Sequence, residues 1–195
     1  MSEATEGYQS LQQQLDLHQG LPFTPNWSAA ADFLQLIVDH CLAAKPATIL
    51  ECGSGMTTLM LARCCQRNGG GRVYSLEDGR EFAHNIRAYL DCYGLGDYAE
   101  VIHAPLASRS VDGGEYLWYA LEGLPEQEIE MLVIDGPSGF IQKNSRYPAL
   151  PLLAARLASR CTVFLDGAGR DDEREIVALW QAAHPGLQHR YIETG

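Results

Sequence analysis

Residues 47–58, ATILECGSGMTT, decide the fold. The apolar run at 47–50 is typical of a strand buried on both faces of a sheet. Gly53 and Gly55 predict a tight turn that lets backbone N–H groups approach a ligand, and a helix is predicted to begin at Met56, where its N-terminus adds partial positive charge. The segment therefore predicts a strand, a binding turn and a helix.

Outward from this unit, apolar patterns predict that strands and helices alternate along the chain. Further strands are predicted at 72–76, 100–104, 131–134, 161–165 and 189–192, and helices at 28–45, 56–66, 81–93, 150–158 and 173–183, with Ser28 as a helix cap. Such alternation favours an α/β fold with a largely parallel sheet covered on both faces. Ligands of these sheets bind beyond the carboxyl ends of the strands.

Length and composition indicate one globular domain. The chain has 195 residues, 46% of them hydrophobic, which is ordinary for a domain with one core. Residues 1–26, interrupted by Gln, Gly and Pro, are predicted to form a loose arm that packs on the domain or on a partner. Residues 27–195 are predicted to form the binding domain.

Charge and segment composition restrict partners and location. The formal net charge is −11, which argues against nucleic acid or an anionic membrane surface as a general partner. The first twenty residues lack the basic and apolar runs of a targeting peptide, and no run reaches the roughly 18 apolar residues of a membrane span. The six cysteines form no CxxC pair. We therefore expect a reduced, cytoplasmic protein.

Two acidic residues flank the predicted turn. Glu51 ends the first strand, where a carboxylate suits an ammonium group better than a pyrophosphate, and Thr58 stands where the dinucleotide fingerprint has its third glycine. Glu77 ends the second strand at the spacing of a ribose-binding acid, with Asp78 as the competing residue. An NAD(P)-dependent oxidoreductase therefore stays open as a less favoured reading.

Several short motifs resemble those of class I S-adenosylmethionine-dependent methyltransferases. The motifs are ILECGSG at 49–55, SLE at 75–77 and VIDGP at 133–137. SRYPAL at 145–150 and FLDGAGRDDERE at 164–175 resemble the small O-methyltransferase-like group known as methyltransferase domain 24. The resemblance spans about residues 27–192. It implies a Rossmann-like three-layer sandwich with a mostly parallel sheet of about six or seven strands.

The resemblance also implies roles in binding S-adenosylmethionine. The methionine part is assigned to Glu51, Gly53, Ser54, Gly55 and Thr57, the ribose to Glu77 with Asp78, the adenine border to Ala104 and Pro105, and a further cofactor contact to Asp135. Many relatives carry an Asp where this chain has Pro105. A side-chain contact to the adenine amine is therefore not expected from that position.

Asp135 and Asp166 end the fourth and fifth predicted strands and are expected to face each other. They are the candidate catalytic residues. Two facing carboxylates suit Mg²⁺ or Ca²⁺, and metal-dependent catechol-type relatives hold a metal at these strand ends. Those relatives carry an Asn directly after the second acid, where this chain has Gly167. Asp135 as a general base, as a ligand of the cofactor ammonium or as a turn cap remains the alternative to a metal site.

The segment 136–160 carries no acid and four basic residues. Its first half is expected to overhang the site, so Lys143 and Arg146 are predicted to hold an anionic substrate, with Tyr147 and Arg170 as further substrate-binding residues. The alternatives are a helix with basic outer positions and, for Arg170, a solvated ion pair with Asp166.

The sequence thus predicts methyl transfer to a hydroxyl, or less readily an amine, of a small and anionic acceptor. A non-catalytic cofactor-binding or regulatory protein of the same fold is the alternative. We expect neither a nucleic-acid nor a membrane partner, and a homodimer is one arrangement that would cover an exposed sheet edge.

Overall fold

The computed structural model describes residues 3–25 and 27–193. Its elements in chain order are α1 (Glu3–Leu15), α2 (Ala31–Ala44), β1 (Thr48–Cys52), α3 (Met56–Asn68), β2 (Arg72–Glu77), α4 (Arg80–Cys92), β3 (Ala99–His103), β4 (Leu106–Val111), β5 (Gly114–Tyr119), β6 (Ile129–Ile134), α5 (Ala149–Leu153), a 3₁₀ turn (Ala154–Arg156), β7 (Leu157–Leu165) and α6 (Asp171–Ala183). No helix in these two ranges is long and apolar enough to cross a membrane.

The main sheet has the strand order β3-β2-β1-β6-β7, and every neighbouring pair is parallel. β2 and β3 extend to one side of β1, whereas β6 and β7 extend to the other. The direction of winding therefore reverses between β1 and β6, and this switch point is where α/β sheets bind ligands. The predicted α/β fold is confirmed.

Alternate residues of β1 enter two different cores. Ile49 packs into the core that contains α1, α2, α3 and α4. Leu50 and Cys52 pack into the core beneath α5, α6 and the β4–β5 hairpin. Because all five residues of β1 are buried, the continuous apolar run at 47–50 reflects a central strand covered on both faces.

The main sheet has fewer strands than the six or seven predicted. It has five in the described part of the chain, and β4 and β5 form a separate antiparallel pair. Residues 189–192, predicted as a strand, pair with no sheet there. The hairpin itself was not predicted, although its turn is Asp112-Gly113, both at positive φ, which is a common two-residue hairpin signal.

Two further boundaries differ from the prediction. The helix predicted at 150–158 stops at Leu153, because β7 already begins at Leu157, which pairs with Ile129 of β6. Ser28 does not cap α2: the residue before the helix is Ala30, and the Ser28 hydroxyl instead accepts a hydrogen bond from the Thr24 N–H at 2.9 Å.

The predicted N-terminal arm contains a packed helix. Leu11 and Leu15 of α1, and Leu17 just after it, are at most 1% exposed and lie in the core with α2 and α3. The Tyr8 hydroxyl donates to the Ala29 carbonyl at 2.8 Å. The arm is therefore anchored on the domain.

Candidate functional site

The turn after β1 is shaped by the close approach of β6. Gly53 has φ +94°, and a Cβ there would lie 3.3 Å from the Gly136 backbone nitrogen. A larger residue would thus be strained in its backbone and crowded. Gly55 has open space where a side chain would stand, so the turn leaves room for a ligand in front of α3.

Glu51 is fully buried beside this turn. Its Oε2 accepts hydrogen bonds from the hydroxyls of Thr58, at 2.6 Å, and Ser75, while Oε1 has no partner. Burial raises the pKa of Glu51 to about 7, against the opposing effect of the hydroxyl donors. The carboxyl group is therefore either protonated or, when it is ionised, offers Oε1 as a free acceptor to a cationic donor.

Glu77 ties the end of β2 to the same turn. Its Oε2 accepts from the Ser54 hydroxyl at 2.7 Å and the Ser54 N–H at 3.1 Å, and its Oε1 accepts from the Gly79 N–H at 2.9 Å. Asp78, the competing acid, is exposed. The structure thus brings Glu77, rather than Asp78, against the glycine turn.

Asp135 and Asp166 follow β6 and β7 as predicted, and an arginine joins them. Arg146 Nη1 donates to the Asp166 carbonyl at 2.8 Å, and Nη2 donates to the Asp135 carbonyl. The same guanidinium lies 3.5 Å from Asp135 Oδ1, 3.9 Å from Asp166 Oδ2 and 3.5 Å from Glu173 Oε1. With its side chain only 4% exposed, Arg146 is part of the wall of the site.

The substrate roles predicted for Arg146 and Tyr147 gain no support from their positions and stay predictions. The charge of Arg146 is engaged by the neighbouring carboxylates of Asp135, Asp166 and Glu173, and its side chain does not face solvent. Tyr147 is buried, and its hydroxyl donates to Asp112 Oδ2 at 2.5 Å, because the segment after β6 folds down onto the hairpin. The basic run at 136–160 did not indicate that Arg146 is buried, since linear charge does not reveal which side chains turn inward.

The other two predicted substrate residues are solvent-exposed and paired. Lys143 Nζ lies 2.7 Å from Glu175 Oε2. Arg170 Nη2 lies 3.0 Å from Asp166 Oδ2, and its Nε lies 3.6 Å from Glu173 Oε2. Arg170 thus extends the cluster formed by Arg146 and the acids.

Asp135 is the member of this cluster that reaches the cavity beside the glycine turn. Burial and the charge of Asp166 raise the pKa of Asp135, while Arg146 opposes the shift. The cavity is lined by Pro22, Thr24, Trp27, Ser28, Ala29, Ser54, Gly55, Met56, Thr57, Phe82 and Asp135. Of the predicted site residues, Ser54, Gly55, Thr57 and Asp135 meet there.

The predicted adenine border lies away from that cavity. Ala104 is buried at the end of β3, where its N–H donates to the Glu77 carbonyl at 2.7 Å. Pro105 is exposed, and its carbonyl accepts from the Ala120 N–H at 3.1 Å. Both residues therefore follow Glu77 along the carboxyl edge of the sheet, next to the hairpin.

The sequence did not indicate one wall of the cavity, which is contributed by Pro22, Thr24, Trp27, Ser28 and Ala29. Trp27 is 63% exposed and Phe140 95% exposed, and their rings meet edge to face at 6.5 Å. Exposed aromatic side chains at the mouth of a cleft are suited to contact an apolar ligand. No sequence motif predicts this wall, because α1 and β6, the elements that bring its residues together at the site, are far apart in the sequence.

Comparisons with known proteins agree with this geometry. A family model described as a methyltransferase domain matches residues 50–168. No curated protein gave a match.

Many solved structures have a similar fold. An O-methyltransferase from Bacillus cereus in complex with SAH aligns with a TM-score of 0.62 at 17% identity, covering 92% of this chain and 80% of that one. The O-methyltransferase TomG from Streptomyces achromogenes, in complex with SAM, aligns at 0.59 and 17% identity, covering 96% and 80%. An SAH-bound methyltransferase from Podospora anserina aligns at 0.61 and 15% identity, covering 93% and 80%.

The family match includes the glycine turn, Glu77, Asp135 and Asp166, which are also the residues that the fold gathers at its switch point. This chain belongs to the methyltransferase domain family.

Proposed function

We propose that this protein binds S-adenosylmethionine at the switch point and transfers its methyl group to a hydroxyl group of a small molecule. One observation carries the proposal: a glycine turn bearing two fixed carboxylates, Glu51 and Glu77, opens on the same cavity as Asp135. The solved relatives named above as O-methyltransferases support oxygen as the methyl acceptor.

The residues present fit the cofactor. Glu51 Oε1 is a buried acceptor without a partner, so the ammonium group of the methionine part would satisfy it and favour the ionised carboxylate. Glu77 is held in place by Ser54 and Gly79, and a carboxylate at a strand end accepts bonds from a ribose diol. The open space at Gly55 leaves room for the main-chain atoms of the methionine part of the cofactor.

Bound S-adenosylmethionine supplies an electrophilic methyl group, and the chain supplies position and a proton acceptor. The turn and the wall formed by Pro22, Thr24 and residues 27–29 hold the reactants and exclude water, an effect that is worth on the order of 7–11 kcal/mol in well-oriented reactions. With the cofactor bound, an ionised Asp135 would accept the proton of the acceptor hydroxyl while the acceptor oxygen takes the methyl group, so that the S–CH₃ bond breaks and S-adenosylhomocysteine leaves as a neutral thioether. The raised pKa of Asp135 makes its ionised form a stronger base than an ordinary aspartate.

A pair of neighbouring substitutions tests cofactor binding. Each hydrogen bond to a charged group contributes roughly 1.5–3 kcal/mol, so Glu77→Ala should weaken binding of S-adenosylmethionine in calorimetry by about tenfold or more. Asp78→Ala, one residue away and exposed, is the matched control and should leave the affinity nearly unchanged. Equal loss in both variants, or tighter binding of NAD than of S-adenosylmethionine, would overturn the proposed site.

The acceptor half is tested by methyl transfer from labelled cofactor to a panel of small phenols, alcohols and amines. Phenols and alcohols should be methylated in preference to amines. Asp135→Asn, which removes the proton acceptor at nearly constant size, should lower kcat while leaving cofactor affinity intact. A wild-type protein that binds the cofactor but methylates nothing in the panel would favour a regulatory role.

A further inference from the structure

A cluster of five charged side chains, two of them buried, begins at Asp135 in the wall of the cavity and extends away from it. Its acids are Asp135, Asp166 and Glu173, and its bases are Arg146 and Arg170. Glu173, near the start of α6, is only 3% exposed. The sequence pattern alone suggested a metal ion at the two aspartates, so the central question is which groups neutralise the negative charge of Asp135 and Asp166.

Arg146 occupies the place where a cation would be needed. Its guanidinium donates to both strand-end carbonyls and lies within 3.9 Å of an oxygen of each acid in the trio. A divalent ion bound by Asp135 and Asp166 would meet this fixed positive charge at short range. Guanidinium groups stay protonated at all working pH values, so the repulsion cannot be relieved by losing a proton.

Arg170 fills the remaining approach. A Cβ at Gly167 would lie 1.8 Å from Arg170 Nη2, so in this arrangement the Arg170 guanidinium occupies the space beside Asp166 where the catechol-type relatives carry an Asn. Within the described residues, no group of three or more His, Cys, Asp or Glu side chains is arranged to hold a metal ion. The residues present therefore do not fit Mg²⁺ or Ca²⁺, because guanidinium groups already lie against the carboxylates that would have to bind the ion.

We propose that Arg146 is a built-in cation that replaces a divalent metal at this site, and that it acts as a positioning residue for Asp135 and Asp166. Arg170 completes the replacement from the solvent side. The proposal disagrees with the metal site predicted at Asp135 and Asp166. The inference deepens the proposed function, because it makes the transfer reaction independent of divalent ions, but the ion-binding part stands without any catalytic activity.

The test is a Mn²⁺ titration of the full-length protein, followed by electron paramagnetic resonance of the free ion. The wild type should take up no Mn²⁺ at the strand ends, and Asp135→Asn should therefore not change the titration. Uptake by the wild type that Asp135→Asn abolishes would overturn the proposal. This comparison does not depend on whether an Arg146 variant folds.

Arginine variants provide the second arm. Arg146→Gln leaves three acids around a neutral side chain and should bind Mn²⁺ at least about tenfold more tightly than Arg160→Gln, an exposed arginine as matched control. Arg146→Lys retains the charge and should behave as the wild type does. A folded Arg146→Gln variant that gains no affinity would contradict the idea that the guanidinium stands in the place of the ion.

Activity adds a separate readout. Methyl transfer by the wild type should be unchanged by a chelator of divalent ions, whereas inhibition that added Mg²⁺ reverses would overturn the inference. Failure of the proposed function would show instead as absent binding of S-adenosylmethionine in calorimetry. The Mn²⁺ titrations give their result in either case.

Discussion

At the scale of single residues, Glu51 combines structural and binding roles in one carboxyl group. It is fully buried, holds the start of α3 through Thr58 and holds β2 through Ser75, yet leaves one oxygen without a donor. A group placed in this way destabilises the protein without ligand whenever it is ionised, because burial disfavours charge. Sites that bind ligands often retain such a local conflict.

Glu51→Gln should reveal that conflict as a pH-dependent gain in stability. The folded pKa of about 7 lies above the ordinary value of 4.5, so the folded state keeps a proton that the unfolded state releases between those values. The wild type therefore loses stability as the pH rises through this window, and the loss is complete above it. Glu51→Gln does not undergo this loss, and its free energy of unfolding should exceed that of the wild type by up to about 3 kcal/mol at pH 8.

Urea unfolding at a series of pH values measures this difference. Glu100→Gln, an exposed acid paired with Arg72 at 3.1 Å, is the control and should change stability by less than about 1 kcal/mol. A stability difference between Glu51→Gln and the wild type that stays constant from pH 4.5 to pH 8 would contradict the assignment of a raised pKa to Glu51.

Gly136, directly after Asp135, is constrained by a tyrosine. A Cβ there would lie 2.3 Å from the Tyr119 hydroxyl oxygen, so Gly136→Ala should destabilise the protein by about 1–3 kcal/mol through overpacking. Tyr119→Phe removes the clashing oxygen, and the double variant should recover most of the loss in a double-mutant cycle.

Gly139→Ala is the matched control for this cycle, because no heavy atom lies within 4 Å of its added Cβ. It should remain close to wild-type stability in the same denaturation assay. If Tyr119→Phe rescued nothing, the restriction at Gly136 would have to come from the neighbouring backbone of Gly53 instead.

At the scale of elements, the strands of the main sheet were easier to predict than the hairpin that packs against it. β1, β2, β3 and β6 lie within one residue or two of the predicted strands, because continuous apolar runs are required wherever a strand is covered on both faces. The hairpin of β4 and β5 was not predicted, because few apolar residues alternate with the exposed residues of its two strands. Its Asp112-Gly113 turn was the available signal.

The segment between β6 and α5 shows how one element arranges another. Gln142 accepts from the Leu117 N–H at 2.9 Å and donates to the Leu117 carbonyl at 3.3 Å, which ties the segment to β5. The Tyr147 hydroxyl adds a bond to the turn of the hairpin, and Arg146 between them is thereby turned inward. The orientation of Arg146 is a property of these contacts, since nothing in its sequence neighbours marks it as buried.

Helix α1 should contribute to stability as a part of the core. Leu15 is fully buried with α2 and α3, so Leu15→Ala should lower the free energy of unfolding by about 2–5 kcal/mol. Gln13→Ala, on the exposed side of the same helix, is the control and should be nearly neutral. Chemical denaturation of both variants measures the difference, and a silent Leu15→Ala would mean that the arm does not belong to the folding unit.

At the scale of the whole molecule, the negative charge is unevenly distributed. The chain carries a formal charge of −11, but at the site three acids are balanced by two arginines, and Arg146 lies up to 27 residues in sequence from the acids it contacts. Net charge therefore describes the interaction of the surface with distant partners. It does not describe the chemistry of the cleft.

Much of this protein follows from local sequence. Glu51, the Gly53–Gly55 turn, Glu77 and the two strand-end aspartates were placed by sequence alone, because parallel strands bring their carboxyl ends to one edge and short motifs suffice to mark those ends. The five-stranded order, the packed arm with its aromatic wall and the inward Arg146 were decided only by tertiary structure. Each depends on contacts between segments far apart in the chain, and burial of a charged or aromatic side chain is settled by what packs against it, which periodicity and composition do not encode.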